Sequence, residues 1–352
     1  VDAPAHLDTP SIGSGAAGFL LAWLDSDGPG SFWTGRILVA RVDESGQVLD
    51  PNGIALTENV GDYAWPQIVW DGTHYLVVWV QDGGFGGTDK IWGRRVTAAG
   101  APVEAQPVEL ATLAYSTGWP ALAFNGQQHL VAWTTYETNL DSVRFRRFTT
   151  ELSPIDAAPK TLVTASSPVG YIDSPLAASN GSSWLVAWNR SGIEMTVVDS
   201  SGTAGPVKPK LASSSSLYGI AYGNGSYLLN HVTGVAPNPS LAVQRVDIGG
   251  NPLGGAVTLG PKQSETDFPG GVSFSGSEYL ATYTEGGFGN NLVHAARIST
   301  ASTKLADMVH SQSVNTEAFP EVACDGSHYL VVWEDTRGEG VLHHRFSGYG
   351  PW

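Results

Sequence analysis

The sequence predicts an all-β fold, and three observations predict it. Only 14% of the 352 residues are charged while 42% are hydrophobic, against about 25% charged in an average soluble protein, which leaves few side chains to solvate long helices. The chain also carries 43 Gly, 12 Trp and 12 Tyr, a composition of tight turns and large apolar rings. Finally, an aromatic–apolar run recurs along the whole chain. The residue closing that run falls at Trp23, Trp79, Trp133, Trp188, His231, Tyr283 and Trp333, at intervals of 43 to 56 residues. Seven units fit the length.

Each unit holds four short strand-like stretches. In the clearest copy, Trp65-Pro66 leads into a segment that ends at Trp70, and Asp71-Gly72 makes a hairpin into the run Tyr75 to Trp79. After a Gly/Asp loop comes Ile91 to Val96, then a turn at Ala99-Gly100 and the piece Pro107 to Leu110. Asp-Gly or Asn-Gly recurs at the first hairpin, at Asn125-Gly126, Asn180-Gly181, Asn224-Gly225 and Asp325-Gly326, and such pairs accept the positive φ of tight turns. Four antiparallel strands at this period form a unit that cannot bury both faces until neighbours stack on it. The sequence therefore predicts a single domain over residues 1–352, a seven-bladed β-propeller. Its expected blades are 10–63, 64–117, 118–173, 174–217, 218–267, 268–318 and 319–352. Residues 1–9 resemble a fourth strand and are expected to complete the last blade, closing the ring by hydrogen bonds.

The runs Tyr75 to Val96 and Tyr329 to Phe346 resemble the repeats of secreted bacterial β-propeller proteins, whose units share a "YLVVW-x-D … R-V" consensus. The resemblance covers essentially the whole chain. It implies the architecture and brings no catalytic residues with it.

Composition excludes several functions. A formal net charge of −15 repels a phosphate backbone, so nucleic acid is not an expected partner. No apolar run approaches the roughly 20 residues of a membrane-spanning helix. Cys324 is the single cysteine, which precludes an intrachain disulfide and a multi-cysteine zinc site. The acidic, lysine-poor composition suggests a secreted or periplasmic protein. Serine-nucleophile elbows, His-Glu-x-x-His pairs, phosphate loops and dinucleotide fingerprints are all missing.

Most repeated residues read as structural. Arginines at 41, 95, 147, 245, 297 and 345 hold equivalent places, with Val197 in the fourth unit; six such positions cannot all serve one asymmetric site, so they are expected to pair within or between blades. Phe19 with Trp23 and Tyr75 with Trp79 are four apart, share a strand face, and should stack blade on blade. Of the nine histidines, His343 and His344 point to opposite faces, and His231 in place of a recurrent tryptophan reads as a core residue with a hydrogen-bond partner.

The loops entering strand one and those joining strands two and three should open on one face. The first kind carries Trp65, Trp119, Tyr218, Phe268 and Phe319, and the second carries Asp82, Phe85, Glu285, Phe288, Asp335 and Arg337. Aromatics beside acids and amides suit sugars, because a ring stacks on the apolar face of a pyranose while polar groups bind hydroxyls. The opposing structural reading is that the pre-proline aromatics plug the blade interfaces. Phe85 and Phe288, on Gly-flanked loop tips, are the stronger ligand candidates. Strand one should lie nearest the axis, with Gln67 and Glu321 at the channel mouth and Ser11 between their blades. Carboxylates there could hold a structural Ca²⁺, although no calcium-hand pattern is present; no other cofactor is expected.

The leading functional reading is a non-catalytic module that recognises carbohydrate, such as a cell-surface glycan, through several loop pockets. The alternative is a glycan-active or small-molecule enzyme, for which Asp82, Glu285, Glu321, Glu334 and Asp335 offer a carboxylate pair. A protein-interaction platform is the third reading.

Overall fold

The computed structural model describes residues 6–15, 18–26, 35–58, 60, 64–81, 83, 87–113, 118–137, 140–166, 172, 175–209, 211, 216–234, 238–262, 267–286, 291–311, 317–335 and 345–349; for 6–9, 26, 335 and 345–349 it describes the backbone alone. Every regular element among these residues is a β-strand. The strands form seven antiparallel sheets in chain order, called here sheets 1 to 7. Their first strands are His6–Gly15, Gln67–Trp70, Ala121–Phe124, Leu176–Ser179, Leu217–Gly223, Pro269–Phe274 and Glu317–Cys324. Each touches the first strand of the next sheet, and the last touches the first, so the sheets stand around one axis as a β-propeller.

Local chemistry makes each sheet. Between its first two strands, Asp71, Asn125, Asn180 or Asp325 accepts hydrogen bonds from the backbone N–H groups two and three residues on. That Asx turn needs a left-handed residue, supplied for example by Gly72 at φ 95°. The second strands carry the core on both faces. Tyr75, Val77 and Trp79 pack on Leu20, Ala22 and Leu24 of sheet 1, whereas the intervening Leu76, Val78 and Val80 pack on Val131 and Trp133 of sheet 3. Each such burial stabilises by about 1.5–3 kcal/mol.

The recurrent arginines clasp the rim. Arg41 binds Asp50, Arg95 binds Glu104, Arg147 binds Asp156 and Arg297 binds Glu278. Arg95 and Arg147 also donate to the carbonyls of Thr150 and Ser200 in the following sheet, so the pairing acts both within and between blades. His231 is buried, with its Nδ1 on the Val232 carbonyl.

Two expectations are corrected. Residues 6–8 do not complete the last blade: they lengthen the first strand of sheet 1, with His6, Leu7 and Asp8 opposite Ser26, Asp25 and Leu24. Among the described residues sheet 7 therefore has three strands, Glu317–Cys324, Tyr329–Asp335 and Arg345–Tyr349. Sheet 4 also has three regular strands, but Gly205, Lys208 and Leu211 bond along its outer edge, from their N–H groups to the carbonyls of Val197, Met195 and Ile193. Six blades are thus complete, not seven. Closure is by stacking: Ile12, Phe19, Leu21 and Trp23 of sheet 1 pack on Ala323, Leu330 and Val332 of sheet 7.

Candidate ligand site on the propeller axis

The inner strands of all seven sheets line one cavity of about 500 Å³ on the axis. Equivalent positions are fixed by strand register. The residue opposite the one that precedes the closing aromatic is Ser11 in sheet 1, Gln67 in sheet 2, Ala121 in sheet 3, Leu176 in sheet 4, Gly219 in sheet 5 and Glu321 in sheet 7. In sheet 6 a register shift places Gly270 and Gly271 there. The polar members Glu321, Ser11 and Gln67 are consecutive around the ring, whereas sheets 3 to 6 contribute apolar side chains or glycine. A near-symmetric scaffold has an asymmetric cavity.

Five aromatic rings at the starts of inner strands reach this cavity, several of them beside irregularities. Register shifts interrupt sheets 1, 5, 6 and 7 at Asp8/Ser11, Leu217/Gly219, Pro269/Val272 and Ala318/Glu321, the kind of bulge that re-aims a side chain. In sheet 2 the Ala64 carbonyl still accepts from Val80 N–H, so Trp65 sits in a comparable interruption. Trp65 and Phe319 have φ of 36° and 48°, a conformation costly for bulky residues at about 1–3 kcal/mol each. Both precede proline, which further narrows their backbone choices.

The rings meet one another. Trp65 and Trp119 lie 5.7 Å apart between centroids, Trp119 and Phe319 6.4 Å, Phe319 and Phe268 6.1 Å, and Phe268 and Tyr218 5.8 Å. Trp119 belongs to sheet 3 and Phe319 to sheet 7, so the cluster spans the axis. All five rings are half-buried. The Lys262 ammonium lies 5.0 Å from the Phe268 ring centroid and donates to the Asp267 carbonyl.

Glu321 is the single charged residue type among the described residues lining the cavity. It opens onto the cavity yet lies deep in the protein, and burial pushes its carboxyl up to about 8, so it is largely protonated at neutral pH. Its carboxylate oxygen rests against Gly271, where a Cβ would collide with it. Gln67 donates its amide N–H to the Pro66 carbonyl, which leaves its side-chain oxygen as an acceptor.

Of the residues singled out in the sequence, Trp65, Trp119 and Phe319 come together here, with Tyr218 and Phe268. Glu285 does not line the cavity; its carboxylate lies against Gly260. Asp82, Phe85, Phe288 and Arg337, and the side chain of Asp335, lie outside the described residues. Among the described residues no group of three or more His, Cys, Asp and Glu is placed to hold a metal. Contact between Trp119 and Phe319, and the strained backbone at Trp65 and Phe319, left no sequence signal beyond the recurring aromatic-Pro pair.

No family model matches the chain, and no curated protein matches it. In three dimensions it is similar to polysaccharide lyase Uly1, at 9% identity and a TM-score of 0.59, over 100% of this chain and 91% of that one. It is also similar to the β-propeller domain of the Trilobed protease from Pyrococcus furiosus, described as having an open velcro topology, at 10% identity and 0.56 over 99% and 96% of the two chains. A prolyl endopeptidase matches at 14% identity and 0.52, over 99% of this chain and 49% of that one. The chain thus spans about half the length of that endopeptidase. Likeness at such identity shows the fold.

Proposed function

We propose that this protein is a non-catalytic recognition module that takes the end of a carbohydrate into the axial cavity. The observation that carries the reading is the convergence of Trp65, Trp119, Tyr218, Phe268 and Phe319 on one cavity whose polar groups occupy a single arc. Ring faces suit the apolar face of a pyranose, and Ser11, Gln67 and Glu321 offer partners for its hydroxyls. A cavity of about 500 Å³ has the size of an ordinary small-ligand site. The reading replaces several loop pockets with one axial pocket, and counts sheet 7 as an incomplete seventh blade. An extracellular or cell-surface glycan is the source that the acidic, lysine-poor composition favours.

An enzyme is the second reading, favoured by the raised carboxyl of Glu321, which is suited to donating a proton at neutral pH. Glycoside cleavage with paired carboxylates needs a second one about 5–10 Å away, and Glu321 has no such companion among the described lining residues. Binding is therefore preferred over cleavage. A glycan array followed by calorimetry on the wild type and Trp119→Ala tests this. Saturable binding without turnover, weakened at least tenfold by the substitution, is expected. Turnover of a bound polymer would establish the enzyme instead, and absence of binding across a broad array would end the carbohydrate reading.

A further inference from the structure

We infer that the sugar residue entering the axial cavity carries a free amino group, held by Glu321 with Ser11 and Gln67 beneath the aromatic rings. This rests on the carbohydrate reading of the same cavity and names the class of sugar. The argument begins with Glu321, a carboxyl that makes no hydrogen bond or ion pair to a described residue and stands in a cavity lined otherwise by neutral groups. Keeping a carboxylate ionised at such a depth is costly unless a partner of opposite charge accompanies it, and the described lining supplies none. A ligand ammonium would. Its three N–H donors match the three acceptors of the polar arc: the Glu321 carboxylate, the Ser11 hydroxyl and the free oxygen of the Gln67 amide.

The rings point the same way. A cation is attracted to an aromatic face, and Lys262 over Phe268 is an instance within this cluster. Among the register-equivalent positions a sugar finds partners on this one arc alone, because sheets 3 to 6 offer Ala121, Leu176 and glycine there. The net charge of −15 draws cations toward the protein and repels anionic glycans.

Proton release gives a signature specific to Glu321. The described titratable groups on the strands around it are otherwise engaged or placed: Glu278 pairs with Arg297, His294 with Asp307, Tyr283 donates to Asp307, Tyr329 to the Glu278 carbonyl and Tyr279 to the Gly223 carbonyl, and the Cys324 sulfur accepts from Gly326 N–H. Glu317 accepts from Val293 N–H, Glu334 stands opposite Ala318, and Glu285 lies against Gly260. Tyr218 is the remaining titratable side chain on the described cavity wall. Since burial holds Glu321 protonated below about 8, binding an ammonium at pH 6.5 expels its proton.

The test compares three trisaccharides by calorimetry at pH 6.5 in two buffers of different ionisation heat: the β-1,4 trimers of glucosamine, of glucose and of N-acetylglucosamine. The glucosamine trimer is expected to bind at least tenfold more tightly than the other two and to release close to one proton. Glu321→Gln should reduce that preference to under threefold and abolish the release, with the wild-type comparison deciding the matter if the variant does not fold. Equal binding of all three, or preference for an uncharged trimer, would overturn the inference and leave the carbohydrate reading standing. Failure of all three, with no hit on a broad array, would remove both.

Discussion

Replacing Arg147 with methionine isolates how much one rim clasp stabilises the propeller. The Arg147 and Asp156 side chains are 6% and 3% exposed, with Nη2 to Oδ1 at 2.7 Å and Nε to Oδ2 at 3.0 Å, and the guanidinium also reaches the Ser200 carbonyl of the next sheet. Removing one partner of a buried pair costs about 3–5 kcal/mol. Lys160 stays 3.0 Å from Asp156, so the lower end, about 3 kcal/mol, is expected. Arg41→Met serves as the internal control. Its pair with Asp50 is also bidentate but better solvated, at 27% and 15% exposed, so a smaller loss of about 1 kcal/mol is expected. Acid adds a second readout. Burial opposes ionisation of Asp156, but hydrogen bonds from Arg147 and Lys160 outweigh it and hold the carboxyl at about 2, below its usual 3.8. A depressed carboxyl stabilises the fold above its unfolded pKa and loses that contribution as pH falls through the folded one. Roughly 2 kcal/mol is at stake, so the gap between wild type and Arg147→Met should narrow from pH 5 to pH 2. Urea midpoints, with the slope checked for constancy, measure both effects. A loss no larger than that of Arg41→Met, or a gap unchanged through acid, would refute the account.

Three further outcomes follow from the packing. Gly270→Ala should destabilise by about 3 kcal/mol, the upper part of the overpacking range, because a Cβ there meets the Pro320 carbonyl and the Thr282 hydroxyl between sheets 6 and 7; thermal or urea unfolding reads it. Asp71→Asn should cost under 1 kcal/mol and Asp71→Ala about 1–2 kcal/mol by urea titration, since the amide keeps the turn bonds to Thr73 and His74 N–H and alanine loses them. His231→Tyr, which installs the residue found at the equivalent Tyr283, should flatten the acid side of the stability profile. Burial holds the His231 imidazole below its usual pKa despite its bond to the Val232 carbonyl. Unfolding then takes up a proton, and stability falls as pH drops below about 6.5; urea midpoints between pH 7 and 5 should show a smaller slope in the variant.

What the sequence revealed, and what it concealed, follows from the range of the interactions involved. The hairpins at Asp71-Gly72 and Asp325-Gly326, the two-faced second strands and the arginine clasps are local or nearest-neighbour features, and the repeat displays each of them several times over. The positions of Ser11, Gln67 and Glu321 at the channel mouth were legible for the same reason: register along a strand carries each to its place. Closure was not. Pro10 looks like the boundary between a stray strand and the first blade, whereas it lies inside a register shift between Asp8 and Ser11, a position where the missing N–H breaks no ladder bond. Pairing therefore continues past it, and residues 6–8 stay in sheet 1. The aromatic cluster was hidden by a different cause. Trp119 and Phe319 belong to sheets that are not neighbours, and their contact depends on how far each ring leans over the axis, which neither spacing nor composition encodes. In a repeat built this way, common residues hold sheets together, and function is sought where equivalent positions disagree. Glu321, Ser11 and Gln67 are such a disagreement, facing Ala121, Leu176 and Gly219 across the ring.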